Sequence, residues 1–181
     1  MFNIKAAYFY FLAVKILSAR FIKKIYFSTN YYNKLLKTKV PSQLYFYPNP
    51  FLLSSFVNQK IFTFKLSKIN LDTFWNDHES LKEEENLNSF FWLNLINRKN
   101  DGETIQQIIS IWIKNNTKYK NKNWENLQIS KRVLAWILNA DIILNNADKT
   151  FKKIFFKSII VQVNHLKNNL NDENDPARKI E

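Results

Sequence analysis

One arginine lies between two tryptophans at the start of a predicted amphipathic helix, in the segment from Trp124 to Ile137. Of the 27 basic residues in the chain only four are arginine, and Arg132 is one of them. A guanidinium can donate two parallel hydrogen bonds to a carboxylate, whereas the ammonium of lysine cannot. The face of an indole ring can stack on a sugar ring. The segment therefore has the residue types that would hold an anionic sugar.

The same residues also have a structural interpretation. Arg132 and Trp136 are four residues apart and project from one face of a helix. Trp136 also continues an apolar stripe with Val133 and Ile137, and tryptophans at this spacing are more often core residues than ligand platforms. Arg132 could equally bind the C-terminal end of a helix or the carboxylate of Glu125. Both interpretations stay open at this point.

The elements that position this segment are helices. From about residue 86 onward the apolar residues follow a helical period, which predicts four helices separated by short turns. They span residues 86–98, 103–116, 130–145 and 148–170. Ser130 is the predicted N-cap of the third helix and Asp148 that of the fourth. Trp92 and Trp112 lie on the apolar stripes and are expected to be buried, and consecutive helices are expected to form antiparallel pairs.

Three regions follow from the pattern. Residues 1–40 form a basic amphipathic helix and a linker, and residues 41–85 form a proline-rich and aromatic loop with a short strand. The strand is predicted at 60–69, where apolar and polar residues alternate. Residues 86–181 form the helical-hairpin domain. Asp175 and Pro176 are typical of a helix start just before the chain ends, so this domain is expected to be cut off at its C-terminus within a longer protein.

The N-terminal helix carries five basic residues on one broad face, Lys5, Lys15, Arg20, Lys23 and Lys24. The apolar run 6–14 is too short to cross a bilayer, so no transmembrane segment is predicted. No clean small-x-small cleavage site follows it, so it is not a convincing signal peptide. The expected arrangement is a helix packed on its own domain, with membrane-surface contact and a signal sequence as alternatives. The compartment, periplasmic or cytoplasmic, stays open.

Composition narrows the class of protein. A hydrophobic share of 46% with 16% aromatics argues against a disordered chain. A formal charge of +12 points toward polyanions, whether acidic polysaccharide, nucleic acid or lipid headgroups. The chain has no cysteine, which excludes disulfides and thiolate metal sites. Its two histidines, His78 and His165, are far apart and have no clustered carboxylates, so neither a metal nor a cofactor is expected.

Three segments follow one another along the helical region. They are Leu87-Asn88-Ser89-Phe90-Phe91-Trp92-Leu93, Trp124-x-x-Leu127-x-x-Ser130-x-Arg132-x-x-x-Trp136 and Gln162-x-x-His165-Leu166. The spacer between the first two ends its helix with Trp112 and Ile113. In this order they resemble the N-terminal helical domain of the heparinase II/III-like polysaccharide lyases. The similarity covers residues 40–181 and is strongest from 86 to 170.

The resemblance implies a mainly α fold. It would be an incomplete (α/α) toroid of antiparallel helical hairpins, with a short β or loop region before it. In the full-length protein, further toroid helices and a β-sandwich domain would follow and be partners of this part. The family cleaves uronic-acid-containing polysaccharides by β-elimination, in which the C5 proton is removed while the neighbouring carboxylate is neutralised.

The resemblance also implies functional residues. The expected substrate-binding residues are Asn88, Trp124, Arg132 and Trp136, and the expected partner is an acidic polysaccharide. In the family a Tyr or His transfers the proton, with an Asn or His at the carboxylate. The pair at 164–165 falls inside the fourth helix, whereas the family's pair belongs after it, so that role is not carried over. The catalytic residues are unknown, and the chain is expected to lack the full catalytic set.

Two other interpretations compete with a lyase. The first is a basic helical binding module for nucleic acid or a membrane surface, without enzymatic activity. No nucleic-acid motif accompanies the charge, so nucleic acid is not the expected partner. The second is a purely structural fragment whose uncovered apolar edge would make it self-associate.

Overall fold

The structure of the protein is a computed structural model. It describes residues 4–45, 47–49, 74–75, 85, 87–95, 102–119 and 121–170. Within these ranges the regular structure is helical and contains no strand, so the chain is mainly α as predicted. The predicted strand at 60–69 and the predicted helix start at Asp175 lie outside the described residues. The chain divides into two compact units, residues 1–35 and residues 36–181.

The first unit contains two helices, α1 (Ile4–Ser28) and α2 (Asn30–Leu35). Thr29 separates them, and its Oγ1 accepts a hydrogen bond from the main-chain nitrogen of Tyr32 at 3.1 Å, which caps α2. The ring of Tyr32 lies 4.7 Å from that of Phe27, and both side chains are buried.

Helix α1 leaves its apolar side chains exposed. All twelve large apolar side chains from Tyr8 to Tyr26 are exposed. Within its unit, α2 is only six residues long and so can cover only a short stretch of a 25-residue helix. Among the described residues no helix is long and apolar enough to cross a membrane.

Among the described residues of the second unit, four α-helices and two 3₁₀ helices have complete bounds. The α-helices are α3 (Gly102–Asn115), α4 (Asn126–Leu138), α5 (Ala140–Ile143) and α6 (Lys149–Asn169). The 3₁₀ helices span Phe91–Leu95 and Asn121–Trp124. Helix α6 contacts both α3 and α4, and α4 also contacts both 3₁₀ helices. Helix α4 carries Arg132 and Trp136, and the second 3₁₀ helix carries Trp124.

The core of this unit is built from aromatic rings. The burial predicted for Trp92 and Trp112 is confirmed, with 3% and 1% of their surface exposed. Trp112 meets Trp136 edge to face at a centroid distance of 5.6 Å, and Trp136 lies 5.3 Å from the ring of Phe155. Such tilted and edge-to-face pairs are favoured because the positive ring edge meets the negative ring face. The stripes on α3, α4 and α6 therefore converge on one cluster.

The predicted helix at 86–98 is interrupted at Phe90. Residues 87–89 are helical, Phe90 has a positive φ of 58°, and a 3₁₀ helix follows. A bulky residue in this conformation is strained and needs compensation. The ring of Phe90 is fully buried and lies 5.2 Å from Trp136, and the indole NH of Trp92 donates to the carbonyl of Leu87 at 3.1 Å. Aromatic packing therefore overrides the helical period here.

The predicted helix at 130–145 begins earlier and is divided in two. Helix α4 starts at Asn126, so Ser130 lies inside it and its Oγ donates to the carbonyl of Asn126 at 2.8 Å. The prediction that Ser130 is an N-cap is therefore wrong, and Glu125 holds that position. Asn139 ends α4, because its side-chain amide donates to the carbonyl of Ala135 at 2.9 Å and competes with the helical pattern.

The predicted cap of the last helix is confirmed. Asp148 Oδ1 accepts a hydrogen bond from the main-chain nitrogen of Phe151 at 2.6 Å. The turn before it contains Asn146, whose φ of 53° is a conformation that asparagine tolerates better than most residues. This turn separates α5 from α6.

Candidate functional site

The four predicted site residues are all buried. The exposed fraction is 5% for Asn88, 3% for Trp124, and zero for both Arg132 and Trp136. Arg132 contacts Asn88 directly. Trp136 joins them through Trp112, whereas Trp124 contacts a different set of rings. The structure thus brings three of the four into one cluster and places the fourth beside it.

The guanidinium of Arg132 has an oxygen partner on every nitrogen. Nε donates to Oε1 of Gln162 at 2.6 Å, Nη1 to the main-chain oxygen of Asn88 at 3.1 Å, and Nη2 to that of Asn123 at 2.8 Å. Its carbon Cζ lies 4.1 Å from the centre of the Trp112 ring. A guanidinium is suited to this place because it is planar, donates in fixed directions and stacks on aromatic faces.

Burial lowers the pKa of Arg132 to about 9. The side chain therefore remains protonated at neutral pH, and its positive charge is stabilised inside the protein by its oxygen acceptors. Two of its three acceptors are main-chain carbonyls near the C-terminal ends of short helical turns, at Asn88 and Asn123, where partial negative charge accumulates. This geometry fits the interpretation that Arg132 binds helix ends.

Asn88 and Gln162 hold their places by further hydrogen bonds. Asn88 Oδ1 accepts from the indole Nε1 of Trp112 at 2.7 Å. Gln162 uses its Nε2 to donate to the main-chain oxygen and the Oγ of Ser158, at 3.3 and 3.1 Å, which leaves Oε1 aimed at Arg132. These residues form the Arg132 cluster, defined as Asn88, Trp112, Asn123, Arg132 and Gln162.

Trp124 belongs to a second group of rings. Its indole meets His165 edge to face at 5.4 Å, and His165 stacks on Tyr119 at 5.7 Å. Burial, and to a lesser extent the charge of Glu125, raise the pKa of Tyr119. A phenol with a raised pKa is protonated at neutral pH and is a poor general base.

Asn164 and His165 lie within α6, as expected. The side-chain amide of Asn164 donates to the main-chain oxygen of Leu36 at 2.8 Å and to Oγ1 of Thr38 at 3.0 Å. His165 is 2% exposed. The pair therefore attaches residues 36–38 to α6 and packs against Tyr119.

Three contacts of Arg132 have no signal in the sequence. Asn123 contributes only its main-chain oxygen, which has no signal in the residue type. Trp112 belongs to the spacer between the first two segments, and its residue type does not indicate that its ring lies beneath the guanidinium. Gln162 was part of the third motif segment, and its spacing of 30 residues from Arg132 gave no indication of contact.

The arrangement chiefly holds segments together. Arg132 has no exposed surface, and its Nε, Nη1 and Nη2 each donate to an oxygen of the protein. Direct sugar contact by the four predicted residues stays a prediction. In the part of the chain that the structure describes, no three His, Asp or Glu side chains form a group that could hold a metal ion.

Comparisons with models of protein families, with curated proteins and with solved structures found no match to this chain.

Proposed function

We propose that this chain is the N-terminal toroid part of a heparinase II/III-like polysaccharide lyase, which acts on uronic-acid-containing polysaccharide by β-elimination. One observation carries the proposal: the segments that resemble the family meet at Arg132. The guanidinium contacts Asn88 of the first segment and Gln162 of the third, which lie 44 and 30 residues away in the sequence. It also stacks on Trp112 of the spacer.

This convergence supports the resemblance because an accidental similarity of short patterns does not require them to meet. Three ordered segments that share one buried polar centre are more simply explained as one inherited structural unit. The mainly helical fold is compatible with a toroid, since α6 contacts both α3 and α4. The toroid arrangement itself, the further helices and the β-sandwich domain are parts of the proposal.

In this proposal Arg132 is a positioning residue. It fixes the ends of the short helical turns at residues 87–89 and 121–124 against α4 and α6. A lyase groove needs its walls in fixed positions, because the enolate-like charge of β-elimination must be met by donors placed in advance. The polysaccharide would run over exposed neighbours of the cluster, and the proton-transfer residues would be supplied from outside this chain.

Binding to matched polymers tests the substrate class. The protein is run in native gels that contain alginate or polygalacturonate, the same polymers with their carboxylates reduced to alcohols, or dextran sulfate. We expect retardation by the uronate polymers that disappears on carboxyl reduction and exceeds that by dextran sulfate at equal charge density. Equal retardation by dextran sulfate would contradict the proposal, because it would show only that a chain of charge +12 binds polyanions.

The reaction class has a separate readout. β-Elimination leaves an unsaturated uronate at the new non-reducing end, which absorbs ultraviolet light, whereas hydrolysis leaves a saturated end. Because this chain is proposed to lack the full catalytic set, we expect binding without release of either product. Release of saturated ends by the purified chain would contradict the assignment to the lyases.

A further inference from the structure

The positive charge of the protein is concentrated at its N-terminal end. Residues 1–71 contain eleven lysines and arginines and no aspartate or glutamate. Residues 72–181 contain sixteen basic and fifteen acidic residues and are therefore almost neutral. The charge of +12 is thus a local property of the region that contains α1, and the Arg132 cluster does not account for it.

Helix α1 also has a face without charge. At about 100° per residue, Tyr10, Val14, Leu17, Phe21 and Ile25 fall within one sector of the helix, because they recur at intervals of three or four residues. Their exposed fractions are 74%, 43%, 63%, 65% and 51%. These five residues are called the apolar face of α1, and so large a contiguous exposed apolar surface is typical of an interaction site.

The basic residues of α1 occupy the other half of its circumference. Lys5, Lys15, Arg20 and Lys24 are exposed, and Lys23 places its ammonium 5.3 Å from the centre of the Phe27 ring. Further exposed rings, including Tyr8, lie between these charges. Long basic side chains and tyrosines beside an apolar surface are the composition found where hydrocarbon meets charged headgroups.

We propose that α1 binds the surface of an anionic lipid bilayer, with its apolar face in the acyl boundary and its basic residues at the headgroups. The helix would lie in the plane of the interface, because its apolar and basic residues are on different sides of its axis. At 25 residues α1 is about 37 Å long, so it offers many headgroup contacts at once. The proposal is independent of the lyase assignment.

Other occupants of this surface fit less well. A second copy of α1 would bring five more positive charges against the first five with no acidic residue between them, which opposes association. Nucleic acid would satisfy the charges and leave the apolar face uncovered. An anionic bilayer satisfies both properties, because charge and hydrocarbon lie within a few ångströms of each other at its surface.

Co-sedimentation with vesicles tests the proposal on the full chain. Vesicles of phosphatidylcholine alone are compared with vesicles that also contain phosphatidylserine, at low and high salt. We expect association with the anionic vesicles that weakens at high salt, since exposed charges are screened. The triple variant K5Q/K15Q/K24Q should bind on the order of 100-fold more weakly, because each surface charge contributes severalfold to the affinity.

A matched variant separates α1 from the overall charge. K149Q/K153Q/K157Q removes three exposed lysines of α6 instead, and we expect it to bind like the unaltered protein. An equal loss in the two triple variants would overturn the proposal, because the attraction would then be diffuse. Failure of the unaltered protein to bind anionic vesicles at low salt would overturn it as well.

The apolar face has its own pair of variants. L17A/F21A keeps the helix-forming tendency of α1 while removing apolar area, and we expect at least about tenfold weaker binding to anionic vesicles. L134A/V163A removes two exposed apolar side chains elsewhere and should not change binding. If L17A/F21A bound as well as the unaltered protein, α1 would not be a lipid-binding helix.

Discussion

Arg132 and Asn88 are 44 residues apart, and a hydrogen bond of 3.1 Å joins the guanidinium of the first to the main-chain oxygen of the second. Trp112 completes a closed set of contacts, because its indole NH binds the side chain of Asn88 and its ring face lies under the guanidinium. A buried charge is tolerated when its hydrogen bonds are complete and becomes costly when one partner is removed. The cluster is therefore expected to dominate the response of the domain to mutation.

Replacing Arg132 should destabilise the protein severely. Arg132→Ala takes the donor away from two buried oxygen acceptors and one half-buried acceptor, and it opens a cavity beside Trp112. We expect the free energy of unfolding in urea to fall by about 3–5 kcal/mol, against about 0.5 kcal/mol or less for Lys131→Ala on the same helix. Arg132→Lys keeps the charge but not the fork, so about 1–3 kcal/mol is expected. Wild-type stability of Arg132→Ala would contradict the structural role.

Two neighbouring tryptophans should differ although both are fully buried. The indole NH of Trp112 binds Asn88 at 2.7 Å, whereas that of Trp136 has no acceptor among the described residues. Both Trp→Phe changes remove similar volume, but only Trp112→Phe takes away an indole donor that binds the buried side-chain oxygen of Asn88 and shrinks the ring under Arg132. Trp112→Phe should cost about 1–3 kcal/mol more than Trp136→Phe in urea unfolding. Equal losses would show that the hydrogen bond contributes little.

The sequence predicted the helical fold well where amphipathic periodicity decides the structure. Helix α3 and helix α6 occur close to their predicted bounds, because an unbroken apolar stripe can be read from residue types alone. The break at Phe90 could not be read in this way. It depends on a ring that packs against Trp136, and contacts between residues 46 positions apart leave no local pattern.

For the candidate site, too, the sequence predicts the residue types but not the contacts between distant residues. The residue types around Arg132 can be read from the sequence, and binding to the end of a helix is one of the interpretations that they allow. Its burial could not be decided, because exposed sugar-binding arginines and buried structural ones have the same helical spacing. The deciding partners are the main-chain oxygens of Asn88 and Asn123, and any residue could supply those.

Asp148 and Ser130 are both predicted N-caps, but their replacement by alanine should affect the free energy of unfolding differently. Asp148 accepts from the nitrogen of Phe151 at the start of α6, so Asp148→Ala should lower the free energy of unfolding by about 1 kcal/mol. Ser130 lies inside α4 and bonds back to Asn126, so Ser130→Ala should change it by less than about 0.5 kcal/mol. Thermal unfolding followed by circular dichroism can rank the two variants. A larger loss for Ser130→Ala would contradict the helix bounds.

Tyr119 should make stability depend on pH in the alkaline range. Burial, with a smaller contribution from Glu125, raises the pKa of its phenol above the ordinary value of 10.0. The unfolded chain therefore loses this proton at a lower pH than the folded protein, and between the two pKa values the unfolded state binds fewer protons. Stability then falls as pH rises. The contribution of Tyr119 is complete below about pH 10 and is lost as pH rises through the folded pKa.

Tyr119→Phe isolates this effect because it keeps the ring and removes the titrating group. Arg132, whose pKa is lowered to about 9, shifts stability in the opposite direction, but it is present in both proteins and cancels in their difference. Urea midpoints measured from neutral pH to above pH 10 should therefore fall more steeply for the unaltered protein than for Tyr119→Phe. Parallel curves for the two proteins would mean that the pKa of Tyr119 is the same in the folded and unfolded states. The phenol would then be open to water although its ring stacks on His165.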